Sequence, residues 1–171
     1  MTDHLLDNEA SNFVIALGKA MHHYAAMEFV LNALISELVG DTVFTASFIA
    51  LNAAKRIDLL TKLVERIEPA LNRQGWKSVN LFVQLKAAFQ NRNKIAHNPY
   101  LATQKVAPDG SHIHTGFIRV VRYNDVGSKE ELIDLASLGR MTVESSELLQ
   151  RCKELLSHCQ RFRSQRPVAD A

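Results

Sequence analysis

Apolar residues along this chain recur mainly at three- and four-residue spacing, the signature of amphipathic helices. From about Asp7 or Asn8 to Val39, such a stripe joins Phe13, Leu17, Met21, Tyr24, Met27, Leu31, Leu34, Ile35 and Leu38. Gly40-Asp41 then supplies a stop followed by a cap. A second helix is predicted from about Thr42 to Leu71, with Phe44, Phe48, Leu51, Leu59, Leu63 and Ile67 on one side. Ile49, Leu60, Val64 and Leu71 widen that face, and Pro69 is placed to end or kink the helix. After the polar break at Asn72-Arg73-Gln74-Gly75, a third helix is expected from about Ser78 to His97. Its residues Leu81, Phe82, Val83, Leu85, Ala87, Ala88 and Phe89 cover nearly the whole circumference, as in a central helix.

The period then changes. Pro108-Asp109-Gly110-Ser111 reads as a turn between Gln104–Val106 and Phe117–Val121, which predicts a β-hairpin. A third short strand fits around Leu132 to Leu135. Thr142 and Glu144 look like the opening of a last helix, whose core face is Val143, Leu148, Leu149, Cys152, Leu155, Leu156, Cys159 and Phe162. The fold class expected is mainly α: an up-down four-helix bundle with a small β-hairpin insertion between the third and fourth helices. One domain over residues 1–171 is expected, with the insertion at about 101–136 and a flexible tail at about 164–171.

Composition adds limits. A 171-residue chain with 47% hydrophobic and 22% charged residues is typical of a water-soluble globular protein with a normal core. No basic segment followed by an apolar run stands at the N-terminus, so no signal peptide is expected. The apolar runs are broken well short of a membrane span, so no membrane partner is expected. Cys152 and Cys159 fall seven apart on one helix, about 10 Å along its axis, too far to bridge. A reducing cytoplasm is the expected compartment. The net charge of +2, with both signs interspersed, lacks the basic stripe of a dedicated DNA binder. The one locally basic run, Arg161 to Arg166, suits a solvated helix end.

The candidate chemistry lies in Phe89-Gln90-Asn91-Arg92-Asn93-Lys94-Ile95-Ala96-His97-Asn98-Pro99-Tyr100. An arginine and a histidine end an apolar helix, which then breaks at a proline. A guanidinium binds phosphate and an imidazole moves a proton near neutral pH. With seven histidines in the chain, an Arg-x4-His spacing alone carries little weight. Arg151 and His158 show how easily another such pair arises; they read as a solvated pair in mid-helix. Arg92 differs because it continues the row Leu81, Leu85, Ala88 toward the core side of its helix. Asn93 and His97 stand at i and i+4, so they share a face while the helix persists. A structural alternative remains open, in which Arg92 pairs with Glu28 and His97 caps the helix.

Arg92-Asn93-Lys94-Ile95-Ala96-His97 resembles the R-[polar]-x3-H motif of HEPN domains. The element order is also similar: a long first helix, a second, the motif helix and a final helix, with a strand-bearing insertion in some members. The resemblance implies a homodimer whose two motifs face one cleft. It also implies a metal-independent endoribonuclease, of toxin or defence type, with no cofactor. On that basis His97 is general base or acid, Arg92 neutralises charge on the scissile phosphate, and Asn93 orients the substrate or the histidine. Lys94 and Asn98 are then substrate-binding positions, with Glu28 and Tyr100 in support. Within the family some domains are instead non-catalytic modules for dimerisation or for binding a nucleotide or other ligand. An antitoxin protein is an implied partner. The branch regulated by a nucleotidyltransferase carries tyrosine two residues after the histidine; here Pro99 stands there, with Tyr100 next, so the resemblance does not extend to that regulator.

Glu28 interrupts the apolar stripe of the first helix, between Tyr24 and Leu31. It is placed either to support Arg92 and His97 or to pair with Lys55 or Arg56. His22-His23 cannot share one helical face, and His112 with His114 make a poor metal site by themselves, so no metal is expected. No Gly-rich phosphate loop, nucleophile elbow or Cys/His zinc pattern occurs.

Overall fold

The computed structural model describes residues 3–77, 80–96, 100–110, 112–123 and 127–164, with side chains over 11–77, 80–96, 106–110 and 133–164. Helix α1 spans Asp3–Val39. It stops at Gly40, whose φ of 73° is a left-handed conformation that favours glycine, and whose N–H donates back to the Ser36 carbonyl at 3.0 Å. Asp41 follows as an N-cap: its Oδ1 accepts from the N–H groups of Val43 and Phe44 at 2.8 and 3.1 Å.

The predicted helix from Thr42 to Leu71 is two helices, α2 (Thr42–Ile49) and α3 (Ala53–Arg73). Asn52 makes the break. Its backbone is extended (φ −64°, ψ 160°), and its side chain accepts from the Lys55 N–H at 3.0 Å. An Asn that bonds the backbone ahead of it starts a new helix rather than continuing the old one. Pro69 neither ends α3 nor stops it short of Arg73.

Helix α4 (Leu81–Ala96) is one-sided rather than apolar all round. Leu81, Phe82, Leu85, Ala88, Phe89 and Ile95 are buried, whereas Val83 is 69% exposed and Ala87 is exposed. The expectation of a central helix is corrected: apolar side chains alone do not show which face is covered.

After α4 come β1 (Tyr100–Val106), β2 (His112–Tyr123) and β3 (Gly127–Ile133), antiparallel in the order β1-β2-β3. Tyr100 pairs with Arg119 and Val106 with His112, with a register shift between Thr103 and Gln104. Phe117 pairs with Ile133 and Tyr123 with Gly127. Helix α5 (Leu135–Ser164) starts seven residues before Thr142. Asp134 opens it: its Oδ1 accepts from the Ser137 N–H at 2.7 Å, and hydrogen-bonding by the Ser137 side chain, then by its backbone, holds the Asp134 carboxyl below its ordinary value. Thr142 lies inside the helix, with its hydroxyl donating to the Leu138 carbonyl at 2.9 Å.

The fold class expected from the sequence is therefore corrected. The chain is mainly α, but the described residues form five helices rather than a four-helix bundle, and the segment between α4 and α5 is a three-stranded sheet rather than a small hairpin, its third strand at Gly127–Ile133 instead of the short one expected around Leu132 to Leu135. The expected tail beyond Ser164 lies outside the described residues. No helix among the described residues is long and apolar enough to cross a membrane.

The chain divides into two compact units: Met1–His22 with Asn91–Val143, and His23–Gln90 with Glu144–Ala171. In the first, Phe13, Ala20, Ile95, Ile133 and Leu138 are buried. The second buries Met27, Leu31, Leu34, Ile35, Ile57, Leu60, Val64, Leu85 and Leu155. Cys152 and Cys159 are free thiols in that core. Burial pushes both up to about 12; Arg151 opposes the shift at Cys152, and Glu37 adds to it at Cys159. Both thiols are expected to resist Ellman's reagent at pH 8 in the native protein and to react fully in denaturant. Because the folded values are raised, the stability linked to these thiols is full below the unfolded value of about 8.5. It is lost as pH rises from there through about 12.

Candidate functional site

Helix α4 carries Arg92, Asn93 and Lys94 on its last turns, within the first unit. The row Leu85, Ala88, Arg92, Ile95 follows three- and four-residue spacing, so the chain presents a guanidinium where its helix otherwise presents apolar side chains. Ile95 is 2% exposed, Arg92 is half-buried, and Asn93 and Lys94 are exposed. Arg92 Nη1 donates to the Asn93 Oδ1 at 3.2 Å. The long arginine side chain thus swings around the axis toward the polar edge of the helix and brings its planar fork to the face bearing Asn93. Two cations in the last turns, Arg92 and Lys94, also suit the negative end of the helix dipole.

The described part of α4 ends at Ala96. His97 and Asn98 lie outside the described residues, as does Pro99. The chain is described again from Tyr100, where β1 begins opposite Arg119.

Glu28 forms an ion pair with Arg56. It belongs to the second unit, where its Oε1 accepts from Arg56 Nη2 at 2.6 Å. Arg56 is 6% exposed, and its Nη1 donates to Asn32 Oδ1 at 2.6 Å. The Arg56 Nε is buried without a hydrogen-bond partner among the described residues. This ion pair links α1 to α3, the pairing with the second helical segment that the sequence left open. The signal for it was present: Glu28 and Arg56 each interrupt an apolar stripe, and charges of opposite sign on two buried faces match each other.

Lys86, Gln90 and Asn93 are exposed on α4. Lys86 forms an ion pair with Asp58 of α3. The Arg151–His158 spacing resolves into two separate contacts. Arg151 donates to Gln84 Oε1, while His158 Nδ1 lies 3.4 Å from Gln74 Oε1. Burial, then the nearby Arg161, holds His158 below the ordinary imidazole value, against an opposing pull from Glu154.

Sequence reasoning missed one feature of the second unit. A cavity of about 370 Å³ is lined by the last turn of α1 and by parts of α3 and α5, and includes Arg66 and Arg163. Arg163 was read only as part of a solvated helix end, and Arg66 was not singled out. Among the described residues no group of three or more His, Cys, Asp or Glu side chains is placed to hold a metal ion.

Comparison of the chain with protein-family models, with curated proteins and with solved structures finds no match in any of the three.

Proposed function

We propose that the chain is a HEPN-like, metal-independent endoribonuclease acting at Arg92 and His97. The observation that carries the reading is the position of Arg92: half-buried on the core row of α4, with its guanidinium turned to Asn93 in the last turns before His97. The sequence resemblance supplies the rest. In the proposed step His97 takes the proton from a ribose 2′-hydroxyl, and the 2′-oxygen bonds to the adjacent phosphorus. The P–O5′ bond breaks, the 5′-oxygen takes a proton from water and leaves as a hydroxyl, and His97 returns its proton to solvent. The products are a 2′,3′-cyclic phosphate and a 5′-hydroxyl end. Arg92 stabilises the charge that develops on the phosphoryl oxygens, Asn93 holds the geometry, and Lys94 and Asn98 contact the substrate backbone. Glu28, which also pairs with Arg56, and Tyr100 are the supporting positions in this reading. Cleavage of structured RNA in the presence of EDTA, lost in His97→Ala, is the test.

A second reading is a non-catalytic interaction module. Large apolar side chains of α2 favour it: Val43 is 74% and Phe44 61% exposed on a helix of eight residues, a surface that a partner would cover. Both readings include a homodimer. Light scattering at micromolar concentration is expected to return twice the mass of the 171-residue chain; a single-chain mass would count against a cleft shared by two motifs.

A further inference from the structure

A helix that covers one core needs one apolar stripe. In the first unit, α1 buries Phe13 and Ala20 on one side. Ser11, Ile15, Gly18 and His22 follow one another at spacings of four, three and four, which sets them in a single row about half a turn around the axis from Phe13. All four are exposed, Ile15 at 54%, and Val14 beside the row is 65% exposed. The solvent side of this segment thus carries large apolar side chains of its own.

Gly18 is the member of the row that its own chain does not explain. It stands in mid-helix, where glycine is less favourable than alanine by about fivefold in the folding equilibrium. A Cβ built on it would meet nothing within 4 Å among the described residues, so no close neighbour in the chain requires the missing side chain. Glycine in a helix admits a close approach by another element. At Gly18 that element comes from outside the chain.

The row fits a copy of itself. Ile15 projects from it one turn before the gap at Gly18. When two copies of α1 lie antiparallel about a two-fold axis between residues 16 and 17, Ile15 of each protomer falls opposite Gly18 of its partner. Ser11 then falls opposite His22, so each layer joins a large side chain to a small one, as close packing of two helices requires. A parallel pair would instead stack Ile15 on Ile15 and leave Gly18 facing Gly18 across a gap. It would also align the two helix dipoles, which an antiparallel pair opposes.

Charge points to the same occupant. Lys19 is the one Asp, Glu, Lys or Arg residue between Ser11 and His22. It stands at the edge of the row, where a lysine stem covers apolar surface while its ammonium stays in water. A row this neutral neither repels a second copy nor offers the cations that a nucleic acid needs. Ser11 to His22 present about 17 Å of helix, less surface than the roughly 800 Å² per partner of a standard stable interface. The pair is therefore reversible, and its population follows concentration.

We propose that this row of α1 is the contact surface for a second copy of the chain, paired antiparallel with Ile15 of each protomer seated over Gly18 of its partner. The inference rests on the homodimer of both readings above and names its surface. It uses none of the residues assigned to RNA cleavage.

Sedimentation equilibrium of the full chain, from micromolar to submillimolar concentration, measures the dimer dissociation constant. Gly18→Leu is expected to raise it at least about tenfold, because the added side chain overfills the layer under Ile15. Its melting curve at the lowest concentration should match the parent or move up, since leucine is the better helix former and its Cβ meets nothing in its own chain. Ile15→Lys is expected to weaken the dimer at least about tenfold as well. The double variant Ile15→Ala with Gly18→Leu exchanges the projecting and the small position, and should bind at least about threefold more tightly than Gly18→Leu alone. A dimer as tight as the parent in Gly18→Leu or Ile15→Lys overturns the surface and leaves the homodimer standing. A double variant no tighter than Gly18→Leu overturns the antiparallel seating. A parent that stays monomeric over the whole range overturns the homodimer and its surface together, while RNA cleavage is scored independently.

Discussion

Replacing Glu28 by Ala is expected to lower the unfolding free energy by about 3 kcal/mol, the lower end of the cost of breaking a buried ion pair. The lower end applies because the Glu28 side chain is still 32% exposed, whereas that of Arg56 is 8% exposed. Removing the carboxylate leaves a buried guanidinium with Asn32 Oδ1 as its other partner from α1 and with its Nε already unpaired. For a chain of this length the loss corresponds to a fall in melting temperature of roughly 6–12 °C. The double variant Glu28→Met with Arg56→Met is expected to be far less damaging than Glu28→Ala, since it removes both charges together with the unpaired Nε. Urea unfolding of the two single methionine variants and the double completes the cycle. A loss under about 1 kcal/mol in Glu28→Ala would show that solvent already supports the Arg56 charge.

That pair also shows what could be read from the chain before its structure. Glu28, as a charge interrupting an apolar stripe, called for a partner, but spacing left Lys55, Arg56 and the Arg92–His97 pair open, and the structure pairs it with Arg56. Local capping chemistry was harder to read. Asn52 sits in a run whose apolar spacing continues across it, so periodicity joined α2 to α3, although a single side-chain hydrogen bond to Lys55 N–H separates them. The start of α5 was misplaced for the same kind of reason. Thr142 with Glu144 has the composition of a helix opening, but Asp134, eight residues earlier and directly after Ile133 at the end of β3, accepts from the Ser137 N–H. At the candidate site, the placement of Arg92 on the core row followed from spacing. Its turn toward Asn93 did not, because a flexible side chain chooses among several partners that spacing alone cannot rank. The cavity beside Arg66 was hidden for a further reason: it is made by three segments far apart in sequence, each unremarkable alone.

The second large effect expected is on RNA cleavage. Purified chain incubated with structured RNA in EDTA is expected to yield fragments ending in 2′,3′-cyclic phosphate, because the proposed nucleophile is the neighbouring 2′-hydroxyl. A 2′-deoxy substitution at the cleaved position should therefore abolish that cut. His97→Ala is expected to reduce the rate by about 10²–10⁴, the range for losing a positioned general acid or base. Arg92→Ala should cost about 10²–10³, the range for one donor to a developing oxyanion. Arg92→Lys should recover little, since a point charge lacks the planar fork that meets two phosphoryl oxygens and Asn93 together. Arg92 is half-buried, so each variant must be compared with the parent by its melting curve. A variant that melts as the parent does but fails to cut separates chemistry from folding. Cleavage that survives His97→Ala would remove the assigned mechanism, and a parent protein inactive on a broad RNA panel would remove the nuclease reading while leaving the interaction-module reading in place. The order of the two losses is itself informative: a larger effect at Arg92 than at His97 would mean that electrostatic stabilisation of the phosphoryl group, rather than proton transfer, limits the step.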